Sequence, residues 1–163
     1  MTSVVTGISL LPDKGNLYKI RAKMNPSAPG IWMIGSFGEE SLKALKLAIE
    51  LLKAYYPKAD KSSINIVVPT MMDGPSCGLP IFLAMYACLM KKPIATRYAF
   101  TGELSEDGRL KDVGGIDEKV ATARRGGLKG IVFPYTEEPL KDATGLLICP
   151  VRTLDEAIAI ATL

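Results

Sequence analysis

The period of the apolar positions changes several times along the chain, and each change predicts an element. Val4 to Leu11, Leu17 to Met24 and Ile31 to Ile34 read as strands, separated by the turn signals Pro12-Asp13-Lys14-Gly15-Asn16 and Asn25-Pro26-Ser27-Ala28-Pro29-Gly30. They predict an N-terminal β meander or hairpins. Spacing then turns helical: Leu42, Leu45, Ile49, Leu52 and Tyr56 share a face, Ser36 and Glu39 fit a capping box, and Pro57 sets the end. Ile64 to Val68 returns to strand. Cys77 to Met90 is so apolar that it reads as a buried helix, and Ala95 to Phe100 as a strand after it. From Gly115 to Arg125 a helix carries the stripe Ile116, Val120 and Ala123, with Gly126-Gly127 as its stop. Gly130 to Phe133 reads as a buried strand, Gly145 to Cys149 as another, and Leu154 to Ala161 as the last helix. The fold class is α/β with sheet and helices mixed (α+β mixed): one compact domain over residues 1–163, its N-terminal meander followed by alternating strands and helices. No internal repeat or linker interrupts it.

Composition narrows the function classes. The chain has 163 residues, 48% of them hydrophobic, enough to bury a core of its own. A net charge of +3, with 20 basic residues spread along the sequence, argues against nucleic-acid binding. No Gly-x-x-x-x-Gly-Lys-Ser/Thr phosphate loop is present, which argues against nucleotide hydrolysis. The N-terminus lacks a basic region followed by an apolar core, and no apolar run reaches membrane-spanning length, so a cytoplasmic chain without a membrane partner is expected. Cys77, Cys88 and Cys149 are odd in number and lack paired ligand spacing, which argues against a disulfide framework or a zinc site. Cys77 and Cys88 share a helical face with Ile81 and Ala84 and read as small buried thiols. Neither cofactor nor metal is expected.

The chemistry begins with an absence: the chain has no histidine, which excludes Ser-His and Cys-His mechanisms. A serine activated by a neutral lysine remains. Ser76, in Asp73-Gly74-Pro75-Ser76-Cys77-Gly78, stands where the buried helix begins, so N–H groups and the positive dipole end face any charge formed there. Lys119 falls on the apolar stripe of its helix, where loss of water lowers an amine's pKa. Each residue also has a structural reading, Ser76 as an N-cap and Lys119 as a cation reaching out to water.

Three segments taken together carry a resemblance. Asp73-Gly74-Pro75-Ser76-Cys77-Gly78, then Thr101-Gly102-Glu103-Leu104, then Gly108-Arg109-Leu110-Lys111-Asp112-Val113-Gly114-Gly115-Ile116-Asp117-Glu118-Lys119 resemble, in order and spacing, the proteolytic domain of Lon proteases. Val5-Thr6-Gly7-Ile8 and Gly35 to Glu39 look like that domain's opening, and Pro150-Val151 with Leu154 to Ala157 like its close. The sequence departs from the family pattern at Cys77, where alanine is usual, and in a loop, Thr70-Met71-Met72, that looks shorter and more apolar. The chain also begins almost where that domain begins, without room for an ATPase module.

The resemblance implies a serine endopeptidase with a Ser-Lys dyad: Ser76 the nucleophile, Lys119 the base, and Thr101 the residue that orients the lysine. Backbone N–H groups of Ser76 and of the Asp73-Gly74 turn are the expected oxyanion donors, and structural roles are expected for the Asp73 and Glu103 carboxylates, since a carboxylate touching Lys119 would raise its pKa. Expected substrates are peptides and unfolded polypeptides. Expected partners are an ATPase module, in the same chain or in trans, and further copies in a six-membered ring, with the Met71-Met72 loop a surface for a neighbour to cover. The alternative is a non-proteolytic binding or assembly module of the same fold working with an ATPase. An excised piece of a longer Lon protease would share the fold and chemistry.

Overall fold

Alternation along the central strands divides the molecule into two layers. The computed structural model describes residues 2–11, 14–68, 72 and 74–162. Strands β1 (Thr2–Leu11) and β2 (Lys14–Met24) pair antiparallel as the expected hairpin. Val5 of β1, with Ile20 and Ala22 of β2, faces one side of the sheet, and Ile8, three residues along β1, faces the other. The third strand does not extend a meander. β3 (Gly30–Ile34) runs parallel to β4 (Ser63–Val67), and β4 lies between β3 and β2, antiparallel to β2. Beyond β1 the sheet continues in parallel through β5 (Tyr98–Phe100), β8 (Gly130–Pro134) and β9 (Leu147–Val151), giving the order β3-β4-β2-β1-β5-β8-β9. A small separate hairpin joins β6 (Glu103–Leu104) to β7 (Leu110–Lys111).

Helices α1 (Glu39–Tyr55), α2 (Gly78–Met90) and α4 (Leu154–Ala161) cover one face with the larger core. Helix α3 (Ile116–Arg125) covers the other with a smaller one, formed by Ile8, Ala99, Val120, Ala123, Ile131 and Phe133. The β3–β4 end of the sheet leaves Trp32, Ile34 and Val67 exposed. Among the described residues no helix is long and apolar enough to cross a membrane.

The start of α1 differs from its expected form. The N-cap is Gly38, which puts Glu39 at the first helical position, so Ser36 and Glu39 form no capping box. The buried face is also turned: Ser41, Ala44, Leu45, Ala48, Leu51 and Leu52 point inward, and Leu42 is 41% exposed. Ser41 explains the turn, since its hydroxyl donates to Gly38 O (3.0 Å) and Met72 O (2.7 Å), so a polar residue is satisfied inside. Those bonds also correct the reading of the apolar loop. Met72 is buried and bridges to Phe37, so it offers nothing to a neighbour; Thr70 and Met71 lie outside the described residues. At the other end of the chain, β9 starts at Leu147, leaving Gly145 and Leu146 in the preceding turn, and β5 begins only at Tyr98.

Candidate active site

The serine arrives on a turn that only glycine makes easily. Gly74 has φ +93°, in the region that side chains disfavour, and leads into a 3-10 turn, Pro75–Cys77, that runs straight into α2. Ser76 is the central residue of that turn, two positions before the helix as assigned, and its side chain is half-buried. Residues Gly78 to Leu89 behind it are all buried, so the turn is fixed to the interior of the larger core. Asp73, the other residue of the expected oxyanion turn, lies outside the described residues.

The threonine strand is stitched to this turn. Gly102 N–H donates to Ser76 O at 2.9 Å, and Leu79 N–H returns a bond to Gly102 O at 3.0 Å. Gly78 packs closely here, as an added Cβ would lie 3.1 Å from Leu104 Cγ. Thr101, immediately after β5, is wholly buried and anchored by its own N–H to Val132 O at 3.0 Å.

The lysine comes from the opposite layer. Gly115 caps α3 with φ +69°, a backbone conformation that favours glycine, and packs against the Leu10 side chain. One turn on, Lys119 is 3% exposed and donates from Nζ to Thr101 Oγ1 at 3.0 Å. Among the described residues it forms no ion pair. Burial therefore acts on its ammonium without a compensating carboxylate and lowers its pKa from 10.5 to about 8.

Ser76 and Lys119 line one pocket of about 430 Å³, together with Leu10, Pro75, Glu103, Asp112 and the Val113-Gly114-Gly115 turn. Cys77, next to the serine, behaves oppositely: it is buried, and burial pushes its thiol up to about 12, which keeps it unreactive. Glu103 lines the pocket without an ion pair among the described residues. Leu10 and Asp112 entered no sequence-based site assignment. Leu10 reads only as a strand residue, and nothing near it in sequence signals that the end of β1 reaches the Gly114-Gly115 turn. Among the described residues no group of three His, Cys, Asp or Glu side chains is placed to hold a metal ion.

Fold and pocket together define a class: mixed-sheet α/β domains that keep an accessible serine and a buried lysine in one hollow. The chain belongs to the family of the Lon protease (S16) C-terminal proteolytic domain, whose family model matches residues 1–162. It is 30% identical to a Lon protease of Buchnera aphidicola subsp. Schizaphis graminum over 96% of this chain and 22% of the relative. It is 35% identical to Lon protease 1 of Bdellovibrio bacteriovorus over 80% of this chain and 18% of that protein. A Lon protease of Methanosarcina barkeri is 31% identical, over 95% of this chain and 21% of the relative. The chain thus spans about a fifth of the length of the curated relatives it matches.

Proposed function

We propose that residues 1–163 act as one proteolytic domain, a serine endopeptidase in which Ser76 is the nucleophile and Lys119 the general base. One observation carries the reading: in a chain without histidine, the pocket that holds Ser76 also holds an amine whose pKa burial has brought to about 8. At neutral pH roughly a tenth of such amines are unprotonated, against fewer than about one in a thousand for an ordinary lysine. In acylation, neutral Lys119 Nζ takes the proton from Ser76 Oγ as that oxygen bonds to the peptide carbonyl carbon. The resulting ammonium gives the proton to the leaving nitrogen as the C–N bond breaks. A water then attacks the ester with the same amine as base, and Ser76 regains its proton.

Thr101 orients the base by accepting from Nζ. For the oxyanion, the first N–H groups of a helical segment have no intrahelical acceptor. Pro75 has none to give, Gly78 donates to Pro75 O, Leu79 to Gly102 O, and Cys77 belongs to the 3-10 turn's own bonding. We assign the Ser76 N–H as a donor, with the Gly74 turn alongside.

The substrates we propose are peptides and unfolded polypeptides, because a peptide bond must reach Ser76 in extended form and native elements hold their bonds in cooperative structure. A cytoplasmic setting, an ATPase working in the same chain or in trans, and a ring of copies complete the proposal. Exposed Trp32 and Ile34 are apolar surface that such a ring can use.

The test is a serine-directed acylating or boronate reagent followed by peptide mass spectrometry, beside hydrolysis of one polypeptide in folded and destabilised forms. An adduct on Ser76 and Ser76-dependent cleavage of the destabilised form alone are expected. Failure to cleave any peptide would move the assignment to a non-proteolytic module, and equal cleavage of both forms would remove the restriction to unfolded chains.

A further inference from the structure

The carboxylates of the serine pocket have no assigned task, and their placement gives them one. Glu103 and Asp112 line the same hollow as Ser76 and Lys119. Neither forms an ion pair among the described residues, and both are accessible to a ligand, Asp112 exposed and Glu103 half-buried. Lys111, the cross-strand partner of Glu103, makes no ion pair with it and lines the neighbouring hollow instead. Among the described residues the only cation lining the serine pocket is Lys119, and in the reactive state that amine is neutral. Glu103 and Asp112 are then left without a counter-charge among the described residues of its walls.

Two further hollows adjoin it. One shares Pro75 and Glu103 with the serine pocket, and the other shares Asp112 to Gly115. The first adds Glu106 and Asp107, and its Lys43 is engaged by Glu39 and Glu40 at 3.7 and 3.6 Å. The second adds Asp117 and Glu138. An extended polypeptide laid along this row passes from one acidic wall to the next.

We infer that Glu103 and Asp112 form a specificity subsite for a cationic side chain, lysine or arginine, beside the bond presented to Ser76. The inference rests on the reading of this pocket as a peptidase site. A guanidinium or ammonium entering the pocket replaces the missing counter-charge, and a glutamate or aspartate there meets like charge in a partly enclosed space. The causes of the Lys119 shift agree with this division of labour. Burial is the cause of that shift, and among the described residues no ion pair joins either carboxylate to the amine.

The test measures binding, so that it does not depend on turnover. Fluorescence anisotropy of Ser76→Ala protein with an unstructured peptide carrying one arginine, and with its citrulline counterpart, is recorded at low salt above the pKa of Lys119. The arginine peptide is expected to bind about five- to tenfold tighter, and the ratio to shrink as salt rises. Asp112→Asn and Glu103→Gln should each lower that ratio, and together bring it near one; because it is a ratio, a general loss of folded protein does not mimic the effect. A ratio near one in the parent, or one unchanged by the paired substitutions, overturns the subsite. Hydrolysis by the wild-type chain is followed in parallel. If charge discrimination persists without hydrolysis, the peptidase reading falls and the cationic subsite stands.

Discussion

Helices α2 and α3 meet at one pocket and are built on opposite terms. α2 is buried along nearly its whole length and carries no charged residue, so its position is held by apolar packing on every side. α3 is amphipathic: Asp117 and Glu118 stand in its first turn, Arg124 and Arg125 in its last, and only Lys119, Val120, Thr122 and Ala123 are buried. One helix supplies a fixed platform for Ser76, the proposed nucleophile. The other takes a cation into the interior at a cost to stability, and that cost lowers the pKa of the amine proposed as the base.

The largest effects should fall on activity. Ser76→Ala and Lys119→Ala are each expected to reduce peptide hydrolysis by about a thousandfold or more with the fold intact by circular dichroism, and the double variant to be no worse than either. Wild-type acylation should rise with pH through about 8, because the neutral amine is the proposed base. Lys119→Arg should stay inactive throughout. Substantial activity in Lys119→Ala would mean that the polar member of α3 is not the base.

Stability separates the helices next. Phe82→Ala removes a fully buried ring from α2 and should cost about 3–5 kcal/mol in denaturant unfolding. Arg125→Ala, on the exposed side of α3, should change stability by less than about 0.5 kcal/mol. Similar losses for the two would erase the contrast.

Lys119 should act in the opposite direction. Its folded pKa of about 8 lies below the 10.5 of the free side chain, so between those values the unfolded chain binds more protons and stability rises with pH. Below about 8 the full penalty applies. Lys119→Met should therefore stabilise the protein near neutral pH by about 2–3 kcal/mol, a gain that shrinks as pH rises from 8 toward 10.5. A gain that does not depend on pH would assign the effect to packing.

Among the effects on activity, the smallest is expected at Thr101. Thr101→Val keeps the shape and removes the acceptor for Nζ, and should lower kcat by about tenfold with Thr101→Ser restoring most of it. Equal loss in both variants would point to packing around β5.

The same contrast explains what the sequence made legible. Lys119 was readable because α3 is amphipathic, and a lysine on a stripe with Ile116, Val120 and Ala123 stands out. The length of α2 was readable from composition alone. The expected stripe of α1 holds at Leu45 and Leu52 and fails at Leu42; Ser41 is buried instead, and the Met72 carbonyl that satisfies it lies 31 residues away. The partner of β3 was hidden for the same reason: β4 inserts beside it from beyond α1. The β6–β7 hairpin has strands of two residues each, too short for any period to register. Its consequence for the site, Glu103 and Asp112 in one hollow, depends on that hairpin and on Leu10 crossing to Gly115.

The paired bonds between Gly102 and the serine turn bear on how the site fails. Thr101 N–H is held by β8, Gly102 N–H by Ser76 O, and Leu79 N–H by Gly102 O, so three amides fasten Ser76, Thr101 and the central sheet into one piece. Opening of the exposed β3 edge leaves all three in place. If these bonds make the proposed catalytic geometry one cooperative unit, amide exchange at residues 79, 101 and 102 is expected to be slow and to speed up together with loss of activity, as the fold itself is lost.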